Sequence, residues 1–195
     1  MSTATRTALT PEEFLIRERL ADERSIYLDG EVIPMPGASR QHNRIAVNLC
    51  VLIGNQLVDR DCELYLTDMR VWVPPARMYC YPDLVVVRGE PRFLDGEFDN
   101  LLNPTLIVEI LSPSTQALDR GAKFAGYRLL ESLQQYVLIR QDRVGVELYT
   151  RHGDAWDRVE LDGPAEILVL DSIGCAIPLA DIYAKVRFDP GAGPA

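Results

Sequence analysis

Apolar positions follow a helical period near the start of the chain and a strand period through its middle. Thr10-Pro-Glu-Glu13 supplies an N-cap, a proline at the first helical position and a glutamate three residues on, so a helix is predicted over 11–22. Tyr27-Leu28 and Val32-Ile33 flank Asp29-Gly30, a two-residue hairpin turn. Pro34 to Gly37 breaks the chain. Ser39 then caps a long helix that carries Ile45, Leu49, Leu52, Ile53 and Leu57 near helical spacing. Short extended pieces follow at 64–66 and 71–73, the second ended by Pro74-Pro75. The runs 84–87 and 106–111 are almost continuously apolar, as expected of strands buried on both faces. Ser112-Pro-Ser-Thr turns the chain into a helix predicted over 116–131. A strand at 136–139, a solvent-facing hairpin around His152-Gly153, a strand at 167–170 and a closing helix at 179–185 complete the pattern.

No repeat or linker interrupts this order, which implies one α/β domain with a mixed β-sheet. Residues 1–9 are expected to be a flexible N-terminus, 10–187 the domain and 188–195 a disordered tail. The apolar (47%) and charged (25%) fractions suit a soluble globular protein, so a sizeable core needs no staple. No apolar run is long enough to span a membrane, and residues 1–7 lack the apolar core of a secretory signal. Cys50, Cys62, Cys80 and Cys175 are scattered and form no C-x-x-C pair, which points to neither a zinc knuckle nor a disulfide framework and leaves a reduced cytoplasmic setting as the default. The net charge of −9 argues against a surface coated in cations for nucleic acid. It does not exclude a nuclease, because acidic ligands add to the count and a bound metal reverses the local field.

Two acids and a lysine stand out from this background. Asp83 opens the run 84–87 just after Pro82, where an acid can also serve only the turn. Glu109 interrupts the run 106–111. Side chains alternate along a strand, so Glu109 shares a face with Ile107 and Leu111 and must pair, bind a metal or take up a proton. An ion pair with an arginine would satisfy it equally well. Lys123 follows Asp119 by four residues, a spacing that makes either a surface ion pair or an ammonium aimed at a metal site. Glu31 after the hairpin turn and His42 in the first turn of the long helix are weaker candidates; Asp68 and Arg70 either line the same cleft or are solvated. Carboxylates without paired histidines or cysteines favour Mg²⁺ or Mn²⁺ over zinc.

These residues resemble the PD-(D/E)XK nuclease superfamily, and more narrowly the chain is similar to the Uma-two family of restriction-endonuclease-like proteins. The resemblance rests on Tyr27-Leu-Asp-Gly-Glu31, Gly37-Ala-Ser-Arg-Gln-His42, Tyr81-Pro-Asp83, Val108-Glu-Ile-Leu-Ser-Pro-Ser-Thr115, Asp119-Arg-Gly-Ala-Lys123, Tyr127-Arg and Ser132-Leu-Gln-Gln-Tyr-Val-Leu-Ile139. It implies a restriction-endonuclease-like mixed sheet flanked by helices. It also implies Asp83 and Glu109 as ligands of Mg²⁺ or Mn²⁺, with a backbone carbonyl near Ile110 and an N-terminal acid matched by Glu31. His42 matches the pattern without an assigned role. The superfamily lysine usually stands two residues after the acid, where this chain has Leu111; Lys123 would replace it from the helix. Gln135 occupies a position that often holds glutamate. The activity implied is hydrolysis of DNA phosphodiester bonds, by a homodimer if both strands are cut. The alternative is a non-catalytic or regulatory interaction module on the same fold, and no helix-turn-helix or zinc finger is visible to read sequence.

Overall fold

The computed structural model describes residues 9–188, so most of the two terminal segments lies outside it. At their inner edges, Tyr27 Oη donates to the Leu9 carbonyl at 2.7 Å and Phe188 packs on Tyr183.

The chain begins with α1 (Pro11–Glu18), where the capping box forms as the sequence requires: Thr10 Oγ1 accepts from Glu13 N–H, and the Glu13 carboxylate accepts from Thr10 N–H. The helix ends four residues before the predicted Asp22. β1 (Ser25–Leu28) and β2 (Glu31–Pro34) pair through the Asp29-Gly30 turn, both residues at positive φ as a type I′ turn demands. Next come α2 (Arg40–Leu57), capped by Ser39, then β3 (Cys62–Leu66) and β4 (Arg70–Val73). A 3₁₀ turn over the two prolines leads to β5 (Met78–Cys80), a strand too short for its pattern to be read. β6 (Leu84–Arg88), the two-residue β7 (Asn100–Leu101) and β8 (Leu106–Leu111) follow.

The predicted helix over 116–131 is broken into three pieces: α3 (Gln116–Leu118), a π-helical turn (Asp119–Lys123) and α4 (Phe124–Tyr127). The chain then runs through β9 (Gln135–Arg140), β10 (Val146–His152), β11 (Ala155–Leu161), β12 (Ile167–Leu170), β13 (Cys175–Pro178) and α5 (Leu179–Ile182). The hairpin of β10 and β11 is not wholly solvent-facing, since Val146 and Glu147 are buried.

The central sheet has the order β11-β10-β9-β8-β6-β3, with β8 and β9 parallel and the other neighbours antiparallel. A smaller sheet, β2-β1-β5-β4-β7, lies against one face. Between the sheets Val71, Val73, Met78 and Cys80 meet Val85, Val87, Ile107, Tyr136 and Leu138, with Tyr127 and Leu130 from the helical arm. The opposite face of the central sheet packs Leu84, Val86, Val108 and Ile110 under Ile45, Leu49 and Ile53 of α2 and against β12, β13 and α5. Strands β6 and β8 are thus covered on both faces, which is why their runs read as continuously apolar. The outer face of the small sheet carries α1 through Phe14, Tyr27 and Tyr79. Gly126 lets the helical arm sit against β5: a Cβ there would lie 2.6 Å from Met78 Cε.

Candidate active site

Glu109 projects from the middle of β8 into the layer between the two sheets and is 3% exposed. The alternation of β8 puts it there, beside Ile107 and Leu111. Its partner is not an arginine. Lys123 Nζ lies 3.1 Å from Glu109 Oε1, and Tyr127 Oη donates to the same oxygen at 3.2 Å. Lys123 is also 2.7 Å from Asp119 Oδ1, so the spacing of four does make an ion pair, but a buried one rather than a surface one. Beyond that ion pair Asp119 Oδ1 meets no hydrogen-bond donor among the described residues. The π-helical turn swings Asp119 and Lys123 toward the sheet together, and Tyr136 Oη fixes its first residue by donating to the Asp119 carbonyl at 3.0 Å. Such turns recur at functional sites because one wide turn re-aims several side chains at once.

Asp83 completes the group. Leu84 faces Val108 across the antiparallel pair of β6 and β8, and one further step of that register sets Asp83 opposite Glu109. The Asp83 charge reaches Glu109 and helps to raise its carboxyl. Asp83 Oδ2 accepts the Ile110 N–H at 2.7 Å, and its Oδ1 lies 3.0 Å from His42 Nε2. His42, in the first turn of α2, is therefore held against the site from the other side of the sheet; its Nδ1 is buried without a partner among the described residues.

Glu31 is not brought in. It lies exposed on β2, the edge of the small sheet, and no hydrogen bond or ion pair among the described residues joins it to Asp83 or Glu109. Asp68 pairs with Arg24 at the surface, and Arg70 is buried against Asp99, so neither lines this centre. Gln135 is buried 1% exposed at the far end of the sheet, where its Oε1 accepts from Ser172 N–H and Oγ and its Nε2 donates to Thr150 and Val169; it anchors a turn. Among the described residues no three His, Cys, Asp or Glu side chains are arranged to hold a metal. Tyr127 carries no candidate role in the sequence and joins the site through this contact. Its position four residues after Lys123 on the same helical face was the available signal for its contact with Glu109.

The electrostatics are unbalanced. Burial pushes the Glu109 carboxyl up to about 8; Lys123 offsets this in part, and the negative charges of Asp119 and Asp83 reinforce it. Burial by itself would lower the Lys123 pKa, but Glu109 and Asp119 outweigh it and keep the ammonium charged. Cys80 stands nearby in β5, and burial pushes its thiol up to about 12, so it remains protonated. The donor set facing Glu109 is therefore one of hard carboxylate oxygens and one ammonium, with no thiolate. Such a set offers hard oxygen donors and no soft ones.

The mixed central sheet layered between a second sheet and helices is a restriction-endonuclease-like fold. A solved structure titled as "a putative nuclease belonging to DUF820" from Anabaena variabilis superposes with a TM-score of 0.72 at 20% identity, covering 92% of this chain and 99% of that one. Residues 11–180 match the model of the Uma2 family, described as "Putative restriction endonuclease", and the chain belongs to that family. Two proteins of Synechocystis sp. (strain PCC 6803), both called uncharacterized, are similar over most of their length. The protein sll1609 is 42% identical over 84% of this chain and 93% of its own, and slr1290 is 37% identical over 92% and 94%.

Proposed function

We propose that this protein is a Mg²⁺- or Mn²⁺-dependent endonuclease that hydrolyses DNA phosphodiester bonds at the centre formed by Asp83, Glu109 and Lys123. The observation that carries the reading is Glu109: a mid-strand carboxyl, buried opposite a second acid and given only one ammonium, which Asp119 shares. Burying such a group is unfavourable, and a purely structural role would be met as well by an apolar residue. Asp83 and Glu109 would hold the ion, with the Ile110 carbonyl as a further oxygen. When bound, a divalent cation of this kind acts as a Lewis acid toward water and phosphate oxygen.

The chain's own groups have separable tasks. The Ile110 N–H and His42 orient Asp83 through its two oxygens. Tyr127 holds Glu109, and Asp119 holds the ammonium of Lys123, whose charge is then available to the phosphate. Lys123 thereby takes, from the helical arm, the place that Leu111 leaves empty on the strand. The four cysteines are free thiols, which supports a reducing cytoplasmic setting. No helix among the described residues is long and apolar enough to cross a membrane. A homodimer able to cut both strands belongs to the same proposal by analogy of fold alone.

A second reading, a non-catalytic interaction module, draws on the absence of a three-ligand cluster among the described residues. Plasmid and single-stranded DNA incubated with Mg²⁺ or Mn²⁺ separate the two. The nuclease reading expects cleavage by the wild type and none by Glu109→Ala or Lys123→Ala. A wild type inert with either ion favours the module, and cleavage that survives both substitutions points to a contaminant or another site.

A further inference from the structure

A cavity of about 620 Å³ opens beside the first turns of α2, lined there by Arg40, Gln41, Asn43 and Arg44 and by Lys185 and Arg187 from the segment after α5. The walls hold four cations and no carboxylate, on a chain whose net charge is −9. Among the described residues none of the four is in an ion pair, whereas most other arginines of the fold meet an acid. The walls are fixed to one another: Gln41 Nε2 donates to the Arg187 carbonyl, and Asn48 Nδ2 donates to the carbonyls of Ile182 and Ala184.

The placement opposes the free protein's own electrostatics. A helix N-terminus favours acids and disfavours cations, and α1 obeys this with Glu12 and Glu13 in its first turn and Arg17 in its last. α2 does the reverse: it has no acid in its first turn and no base in its last, while Arg40 and Arg44 stand four apart, a spacing at which like charges repel. A polyanion in the cavity would relieve both conflicts. The cavity also shares its helical turn with the candidate active site, since Gln41 and Asn43 flank His42, which touches Asp83.

We infer that this cavity is the landing surface for the nucleic-acid backbone, seating phosphates of the strand whose neighbouring segment reaches Asp83 and Glu109. The inference rests on the nuclease reading for the chemistry at that centre, but the binding it describes can be measured without cleavage. Each phosphate contact contributes about 0.9 to the slope of log affinity against log salt for duplex DNA. With EDTA present and a fluorescein-labelled 24-base-pair duplex (length chosen as about two helical turns), anisotropy from 50 to 200 mM KCl (about the range over which phosphate contacts are resolved) gives that slope. R40A/R44A/K185A/R187A is expected to flatten it by about 3 to 4 and to weaken binding at least about tenfold. R40K/R44K should retain the wild-type slope. R17A/R88A/R128A/R143A removes four exposed cations elsewhere and serves as the charge-matched control. The four positions altered in the cavity variant and the four altered in the control are all exposed, so melting temperature and circular dichroism are expected to hold. An unchanged slope in the cavity variant, an equal loss in the control, or loss of poly-glutamate binding with duplex binding intact would overturn the inference. A wild type that never cleaves, with binding lost only in the cavity variant, refutes the nuclease reading and leaves the landing surface standing. A wild type that cleaves, with the cavity variant binding and cutting as well as it does, refutes the landing surface alone.

Discussion

Glu109 and Glu147 lie in one row of the central sheet, each opposite Leu138 of β9, and both are almost fully buried, at 3% and 1% exposed. Their surroundings push them in opposite directions. Glu147 meets Arg120 at 2.6 Å, Arg158 at 3.0 Å and Arg140 at 3.7 Å, and accepts from Tyr149. Burial would raise its carboxyl, but the hydrogen bonds and charges of Arg120 and Arg158 outweigh that and hold it below the usual range. Glu109 has one ammonium, shared with Asp119, and a second acid across the strand. The π-helical turn supplies cations to both, sending Arg120 to Glu147 and Lys123 to Glu109. The saturated glutamate holds the edge of the sheet to the helical arm. The undersupplied one has chemistry left over, which is what a candidate ligand requires.

The comparison can be broken most severely at Lys123. Lys123→Met leaves Glu109 and Asp119 buried without a cation and should destabilise the fold by about 3–5 kcal/mol in urea unfolding. Glu109→Gln in that background should restore part of the loss; a double variant as unstable as the single one would mean that the two side chains are not coupled. Glu147→Ala should cost about 2–3 kcal/mol, less because its arginines are partly exposed and can turn to water. It should leave DNA cleavage per folded molecule unchanged, and a cleavage defect matching that of Glu109→Ala would erase the distinction between the two sites.

The two glutamates also predict opposite pH dependence. Glu109 keeps its proton in the folded state up to about 8, while in the unfolded chain it loses it near 4.5. The folded state therefore binds more protons in that window, and its contribution to stability is full below 4.5 and is lost as pH rises through 8. In metal-free buffer at pH 8.5 (about half a unit above that transition), Glu109→Gln should be the more stable by about 2 kcal/mol, shrinking toward pH 5. Glu147, held low, contributes stability above the usual glutamate pKa and loses it as pH falls through its own; Glu147→Gln should remove that acid sensitivity. Equal melting curves for wild type and Glu109→Gln across this range would show that Glu109 is already compensated. The smallest effect is expected at Tyr127→Phe, which removes one hydrogen bond to Glu109 and should cost about 1 kcal/mol by urea unfolding.

Much of the fold was legible because its signals are local. The Thr10 capping box, the Asp29-Gly30 turn, the Ser39 cap and the apolar runs of β6 and β8 each depend on a few neighbouring residues. The short strands β5 and β7 were not legible, since two or three residues carry no period and exist as strands only because a partner strand is present. The predicted helix over 116–131 failed for a related reason. Its residues favour a helix, but Arg120 has to reach Glu147 on β10 while Lys123 reaches Glu109 on β8, and the turn at Asp119–Lys123 is widened.

The sequence by itself determined that Glu109 needs a partner, because alternation along a strand places a side chain on one face whatever lies beyond. It also determined that Asp119 and Lys123 are within reach of each other, because helical spacing sets that distance. Only the tertiary structure decided that Lys123 serves Glu109 and Arg120 serves Glu147, that Asp83 stands opposite Glu109 while Glu31 stays on an exposed edge, and that His42 meets Asp83. Those outcomes depend on strand register and layer packing between segments far apart in the chain, and no local pattern encodes them.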